Sequence, residues 1–378
     1  MTSIRKALPI AAVLLIAVAS VAIVTHDVPA PTQPLELQQP IAIPFRFVAL
    51  GDTRFTDSTD PEVANGPVRR AIVQAIAEQK PAFISFGGDI VYRGDHARDW
   101  AVWDSETSAW RDEKIAVYPA LGNHDLHGDQ KNALSNYFQR FPALQEHRYY
   151  SVRFANCLML ALDSVSDEMN GPQGEWLRQT LNKVPADVAF VIIVLHHPSY
   201  TSSSEHEMSG GHAARTAERQ LARLLEENQA TSRGRFVVFG GHVHNYERHQ
   251  HGGITYFVTG GGGAHAYPVV RAPSDLFQST TINYHYLLAE VSKDSMKVTM
   301  NRVEIVGGKA VWTKPDSVTI NVPTSAAGTA SAVGSAWPAS CFWPPVSSAS
   351  SQNAGDVSLG RWPTSNPLHQ IGYPISRF

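Results

Sequence analysis

Residues 239–248, Phe-Gly-Gly-His-Val-His-Asn-Tyr-Glu-Arg, constrain this chain more than any other stretch. Two imidazoles one residue apart follow an apolar run, 235–239, that reads as a buried strand. His242 and His244 reach a common centre only where that strand gives way to a loop, and Gly240 and Gly241 supply the turn. The remaining chain is informative for what else arrives at the same point.

Four other apolar runs end in the same manner. Residues 45–50 lead to Gly51-Asp52, 82–86 to Gly88-Asp89, 115–121 to Gly122-Asn123-His124, and 188–195 to His196-His197-Pro198. Helical spacing occurs between them, through Ala71, Ile72, Ala75 and Ile76, through Trp176, Leu177 and Leu181, and through Ala217, Leu221, Leu224 and Leu225. At least one further strand falls within 149–162. Polar residues at five strand ends match the rule that open α/β sheets bind ligands beyond the carboxyl ends of their strands. From Ile254 the pattern turns to β, with strands over 254–258, 284–291, 296–303 and 309–322. These are expected to form a second sheet of the same domain, facing the first.

Composition narrows the partner. A formal net charge of -3 leaves no basic surface for nucleic acid, so a small molecule is expected. Cys157 and Cys341 are the only cysteines, too few for a disulfide framework or a four-cysteine zinc site. Arg5 and Lys6 precede an apolar run over 7–24, which makes residues 1–26 a signal peptide or an N-terminal membrane anchor. Either places the main domain outside the cytoplasmic membrane. Residues 27–44 carry Pro29, Pro31, Pro34, Pro40 and Pro44 and read as a linker, 45–322 as the folded domain, and 323–378 as a Ser/Ala/Pro-rich tail.

Singly, each polar residue has an ordinary explanation: Asp52 or Asp89 as a helix cap, Asn123 as a turn residue, a lone histidine as part of the core. Together, Asp52, Asp89, Asn123, His196, His242 and His244 all stand at strand ends, and an oxygen-plus-imidazole set suits two transition-metal ions. The order Gly51-Asp52, Gly88-Asp89, Gly122-Asn123-His124-Asp125, Leu195-His196 and Gly241-His242-Val243-His244 resembles the calcineurin-like metallophosphoesterases. Within them, Tyr92 three residues after Asp89, and Gly-His-Val-His-Asn-Tyr-Glu-Arg over 241–248, look most like the purple acid phosphatases.

The resemblance implies a four-layer α/β/β/α sandwich of two facing mixed sheets, with the metals at strand ends. It implies a first metal on Asp52, Asp89, Tyr92 and His244, and a second on Asp89, Asn123, His196 and His242, with Asp89 bridging. A phenolate from Tyr92 favours ferric iron at the first site, with zinc, ferrous iron or manganese at the second. The reaction implied is hydrolysis of a small phosphorylated substrate by water activated between the ions. His124 would protonate the leaving group, with Asp125 orienting its ring. Arg54 departs from the family pattern, standing where purple acid phosphatases tend to have glycine and other members a metal-binding histidine. Arginine does not ligate, so Arg54 either clamps substrate phosphate or pairs with a carboxylate. His206 and His197, and after them His212, are candidate substrate contacts in the loop that follows His196. Competing readings are a phosphodiesterase or nucleotide pyrophosphatase on the same core, and a non-catalytic surface protein that keeps the fold.

Overall fold

The computed structural model describes residues 34–166, 170–203 and 212–323. In chain order its strands are β1 (Leu35–Gln39), β2 (Phe45–Leu50), β3 (Phe83–Phe86), β4 (Ala116–Pro119), β5 (Tyr150–Phe154), β6 (Cys157–Ala161) and β7 (Phe190–Val194). There follow β8 (Arg235–Gly240), β9 (Tyr246–His251), β10 (Ile254–Thr259), β11 (Tyr284–Val291), β12 (Ser295–Val306), β13 (Lys309–Thr313) and β14 (Ser317–Asn321). They form two mixed sheets, one in the order β1-β5-β6-β7-β8-β10-β9, the other β13-β12-β11-β2-β3-β4 with β14 also on β12.

Strand alternation sorts the side chains into layers. On β7, Ile192 and Val194 join the large core while Val191 and Ile193 belong to a second cluster with Trp176, Leu177, Leu221 and Leu225. On β8, Val237 and Phe239 face the large core and Phe236 and Val238 the second cluster. A strand buried on both faces must be apolar throughout, which is why these strands read as unbroken runs. Rings join the two sheets: Phe83 of β3 stacks on Phe154 of β5 at 4.0 Å, and Phe47 of β2 meets Phe239 of β8 edge-on at 6.0 Å. The helices Pro172–Leu181 and Thr216–Thr231 cover the outer face of one sheet. Gly66–Gln79 supplies Val68, Ile72 and Ile76 against the other.

Two expectations need correction. Leu35–Gln39, inside the stretch read as linker, is a strand parallel to β5 that buries Leu35. Proline flanks keep a chain extended, and an extended chain beside an open sheet edge is one register away from pairing. The division into an N-terminal and a C-terminal sheet also fails, because Ile254–Thr259 pairs in parallel with β8, whereas β11 pairs with β2. The second sheet therefore takes strands from both ends of the domain. The leader over 1–26, the tail from 324 onward and Cys341 lie outside the described residues. No helix among the described residues is long and apolar enough to cross a membrane.

Candidate metal centre

Five loops converge beyond the ends of β2, β3, β4, β7 and β8, and backbone bonds lace them together. Asp52 N donates to Gly88 O at 3.0 Å, Arg54 N to Asp89 O at 3.1 Å, and Phe55 N to Ile90 O at 2.8 Å. Asp52, Arg54, Asp89 and His242 all have left-handed backbones, with φ of 55°, 44°, 53° and 69°. Non-glycine residues in that region cost about 1 kcal/mol or more each and persist only where surroundings over-determine them. Here the surroundings are each other. Gly241 is required because a Cβ there would meet the Asp52 carboxylate, and Gly122 because one would meet Asp89 N. Their absence lets His242 N donate to both Asp52 oxygens, at 3.1 and 2.9 Å, and His124 N to Asp89 Oδ1 at 2.8 Å.

Two groups of donor atoms face inward. His196 Nδ1 lies 2.9 Å from Gly87 O, which only accepts, so the proton sits on Nδ1 and donates to the carbonyl while Nε2 keeps its lone pair. That Nε2 stands 2.9 Å from Asn123 Oδ1, 3.1 Å from His242 Nδ1 and 3.4 Å from Asp89 Oδ1. On the other side, Asp52, Asp89 and His244 offer ligand atoms within 4.8 Å of one another. His244 Nδ1 contacts His265 O at 2.6 Å, which leaves Nε2 buried, 3.5 Å from Asp52 Oδ1 and without a hydrogen-bond partner among the described residues. Acceptors packed against acceptors are costly in a buried site. A cation on each side of Asp89 removes that cost, so the residues present fit two metal ions.

The electrostatics agree. Burial, and then the adjacent Asp89 charge, push the Asp52 carboxyl well above the usual carboxylate range, against the pull of Arg54 and the His242 N–H. Asp89 is held below that range, because His196, His124 and Arg54 together outweigh its burial. Burial lowers His196, His242 and His244, favouring the neutral ring that ligates.

Of the other residues singled out, Tyr92 follows Asp89 on the same loop, its ring 5.4 Å from that of His124. His124 is buried, with Nδ1 2.8 Å from Tyr92 O, and burial brings it down to about 4 despite Asp89. Asp125 does not orient it. That carboxylate accepts instead from Ile90 N at 2.9 Å, Val91 N at 3.3 Å and Gly122 N at 2.9 Å, tying the β3 loop to the β4 loop. The reason is local: a short 3-10 turn over His124–Leu126 turns Asp125 back under the backbone. Arg54 lies against Asp89, Nη2 to Oδ2 3.4 Å. His197 is buried beside His242, ring centroids 4.4 Å apart, with Nδ1 3.0 Å from Ser164 Oγ. His212 also lies against His242, its ring tilted by 54° with centroids 4.5 Å apart. His206 lies outside the described residues.

Sequence reasoning missed the supports. Arg69, buried, holds Glu106 with Nε and Nη2, both at 2.9 Å, and gives Nη1 to Arg54 O at 3.2 Å. Glu247, His249 and Asp275 form another buried cluster, but with donors already in place. Thr201 Oγ1 and Ser202 N donate to Glu247, and Ser202 Oγ and Arg271 Nη1 to Asp275. It is a fastening for the loop after β7 rather than a cation site. Glu247 and Arg248 belong to the opening motif, which was the available signal.

Two facing mixed sheets with carboxylates, an amide and imidazoles gathered at their strand ends define a protein of the dimetal α/β class. The family model for calcineurin-like phosphoesterase matches residues 45–246, and the chain belongs to that family. Among curated proteins, purple acid phosphatase 5 of Arabidopsis thaliana is 27% identical over 225 residues, 58% of this chain and 48% of that one. Phosphoenolpyruvate phosphatase of Allium cepa is 26% identical over 211 residues, 51% of this chain and 41% of that one. The chain therefore spans about half the length of these relatives or somewhat less. The fold is shared with a purple acid phosphatase from yellow lupin (Lupinus luteus) seeds, with TM-score 0.57 and 17% identity, covering 74% of this chain and 54% of that one.

Proposed function

We propose that the protein is an exported dimetal phosphomonoesterase resembling the purple acid phosphatases. The observation that carries the reading is the buried, unpartnered Nε2 of His244 facing Asp52, with the Asn123, His196 and His242 atoms crowded on the other side of Asp89. Asp52, Asp89, His244 and Tyr92 would hold one ion, and Asp89, Asn123, His196 and His242 the other. When bound, two cations supply Lewis-acid charge for the phosphoryl oxygens and lower the pKa of water in the site. The protein's own part is to hold that geometry: Gly87 O and His265 O fix the imidazole tautomers, and the Asp125 carboxylate fixes the loops. His124, buried at the edge of the centre, would donate a proton to the leaving oxygen. Iron at the Tyr92 site, with zinc, ferrous iron or manganese at its neighbour, follows from the hard, anionic phenolate. Export rests on Arg5, Lys6 and the apolar run over 7–24.

Metal analysis of the purified protein, its visible spectrum, and turnover of p-nitrophenyl phosphate against bis(p-nitrophenyl) phosphate test the reading together. The expected result is two metal ions per chain, a tyrosinate-to-iron absorption band, and the monoester favoured. A metal-loaded protein inactive on both esters would sink the assignment.

A further inference from the structure

Arg54 lies against Asp89 at the centre and departs from the family pattern. Its side chain is only 14% exposed, yet the guanidinium has little to hold. One N–H makes a long contact to Asp89 Oδ2, at 3.4 Å, and Nε is buried with no acceptor among the described residues. Arginine carries five donors in a planar fork that matches two oxygens of a phosphoryl group. Leaving a buried guanidinium N–H without an acceptor is costly, so an arrangement that does so is waiting for one.

The backbone under Arg54 is built to keep it there. Residue 54 sits at φ 44°, with its N–H on Asp89 O and its carbonyl taken by Arg69 Nη1. Arg69 is itself locked by two bonds to Glu106 and lies over the Phe55 ring at 4.9 Å. Arg54 makes a single long contact to Asp89, Nη2 to Oδ2 at 3.4 Å, whereas a side chain that served only to neutralise that carboxylate would close on it with both ends of the fork. It would also oppose the cations the site is built to take.

We propose that Arg54 is the phosphoryl clamp of this site and that it selects monoesters. The proposal rests on the phosphoesterase reading above. A monoester phosphoryl group has three terminal oxygens and a diester two. Where two oxygens face the metal-binding side chains, only the monoester has a third left for Arg54. The guanidinium then supplies charge to the dianion and, unlike a histidine at this position, stays protonated at every working pH.

Arg54→Ala and Arg54→Lys in the full, metal-loaded chain test this, read out by metal content, by affinity for inorganic phosphate in calorimetry, and by kcat/KM on a monoester and a diester. Arg54→Ala is expected to keep both metals, weaken phosphate binding at least ~10-fold, and lower monoester kcat/KM by ~100-fold. Diester turnover should change less than ~3-fold, and Arg54→Lys should recover part of the monoester loss because it restores charge without the fork. Equal losses on both esters, unchanged phosphate affinity, or loss of metal from Arg54→Ala would each overturn the clamp. A wild-type protein that binds phosphate but turns over neither ester would sink the enzymatic reading instead, while the phosphate arm still decides the role of Arg54.

Discussion

Asp89 is the residue on which both halves of the centre depend, since it faces His196 on one side and Asp52 with His244 on the other. His124 stands beside it, held near 4 by burial, so the free protein carries that proton only on the acidic side. If His124 is the proton donor, turnover of an alkyl phosphate should fall as pH rises from about 5, because the fraction of protonated imidazole falls with it. An aryl phosphate, whose leaving group needs little help, should show a shallower slope. His124→Ala should flatten the alkyl profile and cost ~100-fold at its acidic end while leaving metal content intact. Its backbone N–H to Asp89 survives the substitution, which is why metal loss is not expected. An unchanged alkyl pH profile in this variant would remove the acid role.

At the scale of the elements, the loops after β3 and β4 are one unit because the Asp125 carboxylate accepts three backbone N–H groups from both. Asp125→Ala leaves those donors buried and unmet, a loss of about 2–4 kcal/mol, visible as a lower midpoint in chemical denaturation. Wild-type stability in Asp125→Ala would show that water replaces the carboxylate without cost. The sequence marked where Asp125 is but not what it does, because an acidic side chain next to a catalytic-looking histidine reads as its partner until the 3-10 turn is seen. The strands were legible wherever burial on both faces made them unbroken apolar runs, as in Phe190–Val194, and Tyr284–Val291 was read with its observed ends. Tyr246–His251 was missed because Glu247 and His249 are polar yet buried, Glu247 accepting from Thr201 and Ser202 and lying against His249 Nε2. The gathering of Asp52, Asp89, Asn123, His196, His242 and His244 was legible because each follows the end of a strand. Arg69, Ser164 and the His265 carbonyl were not, since they arrive from distant sequence with no pattern of their own.

For the molecule as a whole, the metal-free centre is a store of unfavourable burial whose sign with pH can be worked out. Burial lowers His124 and His212 to about 4 and His197 to about 2, and the buried His285, between Asn283 O and Thr259 Oγ1, to about 4. His196, His242 and His244 are lowered too. Unfolding frees these rings to take protons at about pH 6.5, so below that value the unfolded chain binds more protons than the folded one and stability falls with falling pH. Asp52, raised well above its usual range, and Asp125, raised to about 8 by burial and then by Asp89, act in the opposite sense and weaken the fold as pH rises from about 4. The histidines outnumber them between pH 4 and 6.5, whereas above 6.5 only the carboxyl groups remain to act. The melting temperature of the chelated protein should therefore peak near pH 6.5, falling steeply toward 5 and gently toward 8. Ions held more tightly by the folded centre than by the unfolded chain should raise the melting temperature throughout. The gain should be smallest on the acidic side, where protons compete for the raised Asp52 carboxyl. Thermal melts of chelated and reloaded protein across pH 5 to 8 check this, and a gain that grows on acidification would mean that the Asp52 carboxyl is not among the groups that hold the ions.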